Sequence, residues 1–178
     1  MDIQSPQDLA AEGKQAYTAG DYAHAAEAFF QAAQGFKTAG EHSAWAEMAN
    51  NQSVALLQAG EAQAALHALA GTPDVFEAQN DALHLAMAYG NRAAAWDALN
   101  QVVEAEADYR QAGEIFKALG ETELRAELMK SYSALLLRTG RQMEALAVMK
   151  TGVDSMEKPG VKGRFLRRLL EIPFKWLK

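Results

Sequence analysis

The stretch Gly20-Asp21-Tyr22-Ala23-His24-Ala25-Ala26-Glu27-Ala28-Phe29-Phe30-Gln31-Ala32-Ala33-Gln34-Gly35-Phe36-Lys37-Thr38-Ala39-Gly40 opens and closes on glycine, and the rest of the chain repeats its frame. At a shift of forty residues, Gly20, Gly60, Asn100 and Gly140 fall in one column, and Gly40, Asn80, Gly120 and Gly160 fall in another. Only 13 of the 178 residues are glycine, so two columns of glycine and asparagine alone do not arise by chance. Both residue types tolerate the left-handed backbone conformation that ends a helix, glycine best and asparagine next. Each repeat therefore carries two helix stops twenty residues apart. That is a helix–turn–helix unit, and the chain reads as a stack of them.

Taken as 6–45, 46–85, 86–125 and 126–165, the repeats agree at further positions. The eighth is small (Gly13, Ser53, Ala93, Ser133), the eleventh mostly large (Ala16, Leu56, Trp96, Leu136), and the twentieth always alanine (Ala25, Ala65, Ala105, Ala145). The twenty-fourth is large (Phe29, Leu69, Tyr109, Met149) and the twenty-seventh small again (Ala32, Thr72, Ala112, Gly152). Phe36, Phe76, Phe116 and Met156 form one more apolar column. Small residues let helix axes approach, and large ones fill the gaps between them. The spacing predicts helices near 7–18, 22–38, 42–58, 61–70, 81–98, 101–118, 121–138 and 141–157. Gly71-Thr72-Pro73-Asp74 breaks the second helix of repeat two, with Thr72 expected as N-cap and Pro73 as the first residue of a short helix over 73–79. Trp45 and Trp96 fall on packing columns and are expected to be structural.

Composition narrows the function. There are no cysteines, which excludes disulfides, thiolate metal sites and cysteine nucleophiles. His24, His42, His67 and His84 share no metal-ligand spacing, and no nucleophile elbow, phosphate-cradling loop or zinc-protease motif is present. Glu104, Glu106 and Asp108 scatter around one helix and read as a solvated surface. No enzyme, cofactor or metal is expected. The opening residues lack the basic and apolar regions of a secretory signal, and no run reaches the roughly 18 apolar residues of a membrane span. A soluble cytoplasmic protein is expected.

The repeat pattern resembles the tetratricopeptide repeat family across residues 6–157, most specifically at Gly13–Ala32 and Asn91–Ala112. It departs from the family at the usually apolar seventh position, which reads Glu12, Gln52, Arg92 and Tyr132, and at the terminal proline, which reads Lys37, Glu77, Lys117 and Glu157. The common unit is about 34 residues, so this is the long, forty-residue form. The resemblance implies an all-α, right-handed superhelix of four helical hairpins over 1–160, followed by a C-terminal helix over 161–178.

It also implies a protein-interaction scaffold or adaptor that takes a peptide or helix of a partner in a concave groove lined by the first helix of each repeat. The groove positions that could bond a peptide backbone or hold carboxylates are Lys14, Asn50, Asn51, Asn91, Lys130 and Arg138. Family members that grip a chaperone's C-terminal carboxylate use five basic or amide residues. The matching positions are Ala10, Lys14, Asn51, Met87 and Asn91, of which only Asn51 conforms, so that clamp is not expected. Small residues at Ala10, Gly90, Ala94 and Ala98 leave room for a bulky element such as a helix.

The net charge of −6 conceals an asymmetry. Residues 161–178 hold six basic residues against Glu171 and carry +5, leaving −11 on the remainder. An acidic body argues against nucleic acid as a partner. On a wheel of about 100° per residue, Phe165, Leu166, Leu169, Leu170, Ile172, Pro173, Phe174, Trp176 and Leu177 share one arc. Arg164, Arg167, Arg168, Glu171, Lys175 and Lys178 fill the other. Such a segment suits three roles: a cap on the last repeat, a tether to an anionic membrane surface, or self-association. The membrane role, through Arg164, Arg167, Arg168, Phe174 and Trp176, would make the protein a peripheral membrane-associated assembly factor.

Overall fold

A computed structural model describes residues 4–155, and all regular structure among them is helical. The elements are α1 (Pro6–Ala19), α2 (Tyr22–Thr38), α3 (His42–Gln58), α4 (Ala62–Ala68), α5 (Thr72–Ala78), α6 (Ala82–Ala98), α7 (Val102–Leu119), α8 (Thr122–Arg138) and α9 (Gln142–Ser155). By contact the chain separates into two compact units, 1–105 and 106–178, with the division inside α7. In the N-terminal unit α1 packs on α2 and α2 on α3, while α3 also meets α4, α5 and α6. In the C-terminal unit α8 packs on α9. No helix among the described residues is long and apolar enough to cross a membrane.

The glycine and asparagine columns end the helices as their chemistry requires. Gly20, Gly40, Gly60, Asn80, Asn100, Gly120 and Gly140 all have positive φ, between 56° and 82°. Gly160 lies outside the described residues. The residue after each stop donates its N–H to a carbonyl five residues back: Asp21 to Ala16, Glu41 to Phe36, Glu61 to Leu56, Asp81 to Phe76, Gln101 to Trp96, Glu121 to Phe116 and Arg141 to Leu136, at 2.8–3.0 Å. This 6→1 bond satisfies a terminal carbonyl that the helix leaves open. Each accepting carbonyl belongs to an apolar packing column, so the residue that anchors a helix end in the core also closes it. N-termini are capped more variably. Ser5 and Asp8 form a reciprocal capping box across Pro6, the first residue of α1. Asp21 and Asp81 accept from the N–H groups of His24 and His84 at 3.2 and 3.1 Å.

The packing columns are buried as a set. Ala25, Ala65 and Ala105 are fully enclosed and Ala145 nearly so; Gly13, Ser53, Ala93 and Ser133 are likewise buried. The reason for a small eighth residue is visible at Gly13, where a Cβ would stand 2.7 Å from Phe29 Cδ1. In the C-terminal unit Met129 plays the same part, lying 2.6 Å from a Cβ on Gly113 and 2.8 Å from one on Gly152. Phe36, Phe76 and Phe116 are buried, and each side chain so enclosed contributes roughly 1.5–3 kcal/mol. Trp45 and Trp96 pack against the core of the N-terminal unit, and Lys37 Nζ sits 5.1 Å above the Trp45 ring.

Two expectations need correction. Thr72 is not an N-cap. Gly71, at φ 81°, occupies that place, and Thr72 is the first residue of α5, fully buried, with its hydroxyl donating to the Leu69 carbonyl at 3.0 Å. A left-handed residue turns the chain there more sharply than a threonine cap can, and the hydroxyl then ties the two short helices together. The other concerns α7. Glu104 is exposed, but Asp108 is 5% exposed and the Glu106 side chain 12%, so two of the three acidic residues are built into the fold.

Candidate functional site

Within the N-terminal unit, Lys14, Tyr17 and Thr18 follow the three-and-four spacing that puts them on one face of α1. Asn51 and Val54 stand on one face of α3. These five side chains and Phe29 of α2 line an open cavity of about 230 Å³. Phe29 reaches it because Gly13 offers no Cβ to hold the ring away from α1. Tyr17 is held from the side by Tyr22, edge to face at 5.4 Å. Thr18 donates its hydroxyl to the Lys14 carbonyl at 2.8 Å, so it is occupied.

The Lys14 ammonium, the Asn51 amide and the Tyr17 hydroxyl have no hydrogen-bonding or ionic partner among the described residues. Together they offer a cation, a donor–acceptor pair and a hydroxyl above an aromatic and aliphatic floor. That arrangement can accept a carboxylate, pair with a peptide group and bury an apolar side chain.

The remaining groove residues are distributed differently. Asn50 is 3% exposed, and its Oδ1 accepts from Asn91 Nδ2 at 2.9 Å, so the two amides join α3 to α6. Lys130 is exposed on α8 and pairs with Glu127 at 3.2 Å. Arg138 ends α8, where a cation suits the helix dipole, and is engaged by the fold. Arg164, Arg167, Arg168, Phe174 and Trp176 lie outside the described residues. Of the six groove candidates, the structure thus brings Lys14 and Asn51 to one cavity and gives Asn50, Asn91, Lys130 and Arg138 partners of their own. Tyr17 was missed because groove positions were carried over by repeat number. Its helical spacing from Lys14 would have found it.

The C-terminal unit carries a connected polar cluster of five side chains. The Glu106 carboxylate accepts from Arg110 Nη2 at 2.9 Å, from the Tyr132 hydroxyl at 3.1 Å, and from Arg141. Arg110 Nε also donates to the Tyr132 oxygen at 2.9 Å, and Tyr132 stacks on Tyr109 with ring centroids 5.6 Å apart. Arg141 grips Glu144 through both Nε and Nη2, at 2.8 and 2.6 Å. Burial pushes the Tyr132 phenol above its ordinary value, against the opposing pull of Arg110. The bond from Arg141 holds the Glu144 carboxyl below the usual range. A second cavity of about 330 Å³ opens beside this cluster, floored by Met129, Leu136 and Val148 and rimmed by Arg110, Glu114 and Glu144. Its rim charges are of both signs, and Arg110 and Glu144 are already engaged. The sequence signal for the cluster was Tyr132 at a seventh position, a departure from the repeat pattern.

No family model and no curated protein matches the chain.

Proposed function

We propose that the chain is a protein-interaction scaffold of the tetratricopeptide type, a right-handed superhelix that holds a segment of a partner protein against its first helices. The observation that carries this reading is the cavity between α1 and α3, where Lys14, Tyr17 and Asn51 are left unpartnered around an apolar floor. Lys14 is exposed and Tyr17 and Asn51 half-buried, and a few polar groups converging on an apolar concavity suit a ligand. The segment that fits is an extended peptide with an acidic side chain for Lys14, a backbone amide for Asn51 and an apolar residue over Phe29. An array of immobilised peptides probed with the full-length protein tests it. Acidic–apolar peptides should be enriched, and Lys14→Ala with Asn51→Ala should weaken them about tenfold or more, the effect of losing a charge-assisted hydrogen bond. Undiminished binding by that variant would remove the site.

A second reading rests on the charge segregation of residues 161–178: a tether to anionic membranes. Flotation with anionic vesicles should then carry the protein at low salt. Phe174→Ser with Trp176→Ser should end that association without lowering the melting temperature. A fall in melting temperature with no vesicle binding would assign the segment to capping.

A further inference from the structure

Repeat one closes its turn between α1 and α2 with an aromatic pair, Tyr17 against Tyr22. Forty residues on, those positions are Leu57 and Ala62. The space beside the second turn is an open cavity of about 480 Å³, lined by Leu57 of α3, Ala62 and Ala64 of α4, and Ala98 and Leu99 at the end of α6. This volume lies within the roughly 300–1,000 Å³ of ligand-binding clefts. The one charged group in the lining is the Glu61 carboxylate, which is exposed and has no ionic partner among the described residues.

We propose that this cavity is a second recognition site, taking a peptide segment of a partner that presents an aromatic ring beside a lysine or arginine. The ring packs beside Leu57 and Ala62, the positions at which repeat one carries its tyrosine pair. The cation pairs with Glu61, whose charge is opposite and unopposed in the lining. An acidic or purely polar segment has no complementary group here, since every other lining side chain except Gln63 is apolar or absent. The site is separate in its residues from the Lys14 cavity and prefers the opposite charge. Phe174-Lys175-Trp176-Leu177-Lys178 of this chain has the required chemistry and supplies a probe.

The test titrates a synthetic peptide with the sequence of residues 174–178 into full-length protein carrying Phe174→Ser and Trp176→Ser, so that no endogenous segment of this kind competes. Backbone amide resonances of Leu57, Glu61, Ala62, Ala64 and Leu99 should shift at low salt. A peptide with its two lysines replaced by glutamates should bind at least tenfold more weakly, and Glu61→Gln should weaken the lysine peptide and flatten its salt dependence. Leu57→Tyr with Ala62→Tyr, the residues repeat one uses, should abolish binding, and so should Ala98→Phe, which blocks the cavity from its exposed rim. Lys14→Ala with Asn51→Ala should leave it unchanged, which separates this site from the proposed groove. Shifts centred on other residues, equal binding of the two peptides, or full binding after the cavity is filled would each overturn the assignment.

Discussion

The two units use the same repeat columns but differ in how their polar residues are joined, as isolated pairs in the N-terminal unit and as one connected network in the C-terminal unit. In the N-terminal unit the core is built of alanine and aromatic contacts, with separate polar pairs between elements, Glu12 with His24, Ser43 with Gln79 and Asn50 with Asn91. The side chains of Lys14, Tyr17, Asn51 and Glu61 have no hydrogen-bonding or ionic partner among the described residues. In the C-terminal unit Glu106, Arg110, Tyr132, Arg141 and Glu144 bond to one another across α7, α8 and α9. Polar groups that complete the fold are not available for recognition. One unit is thus held mainly by close apolar packing, and the other adds a network of charged and phenolic groups to its own packing.

The largest effect that bears on this contrast is expected at the floor of the N-terminal cavity. Phe29→Ala removes a 3% exposed ring that Gly13 is shaped to receive. It should cost about 3–5 kcal/mol of stability, read from urea unfolding. It should also weaken acidic peptides more than Lys14→Ala does. A loss below about 1 kcal/mol would mean that the Gly13–Phe29 contact does not organise the unit.

Glu106→Gln comes next. It leaves two guanidinium groups and a buried phenol contending for a neutral amide, and should cost about 1–3 kcal/mol. Lys14→Ala, at an exposed and unpartnered position, should stay within about 0.5 kcal/mol. Equal costs for the two substitutions would erase the distinction between the units.

The smallest effect is in pH dependence. The Glu144 carboxyl is held low by Arg141, so its contribution is present above the ordinary carboxylate range and fades as pH falls through its depressed value. The Tyr132 phenol is raised by burial, so the folded state is favoured while the hydroxyl is protonated, and that preference is lost as pH rises through the raised value. Thermal melts from pH 3 to pH 11 should show Tyr132→Phe flattening the alkaline limb alone and Glu144→Gln the acid limb alone. If Tyr132→Phe left the alkaline limb as steep as before, burial of the phenol would not be what sets it.

Much of the fold was legible from residue type because the signals were local. A left-handed residue followed by a 6→1 bond is decided within six residues, and the apolar columns sit where those bonds are anchored. Even the small eighth column could be read before its cause, the Phe29 ring over Gly13, was known. The same logic misplaced the cap of α5. Thr72 and Gly71 are both credible caps in sequence, and only the burial of the threonine hydroxyl beneath Leu69 separates them.

Among the described residues, sequence by itself determined most helix ends, the forty-residue period and the faces that pack, because each depends on backbone preference and periodicity. Tertiary structure decided which polar residues remain available. Asn50 and Asn51 are adjacent and chemically identical, and no local rule distinguishes them. One points where α6 can reach it with Asn91, and the other points at the cavity beside Lys14. Glu106 and Glu104 differ in the same way, one enclosed by Arg110, Tyr132 and Arg141 and the other solvated. A helix sets a side chain's direction through its 100° step, but a partner from another helix depends on how the axes pack. That packing is settled by large and small residues far away in the chain.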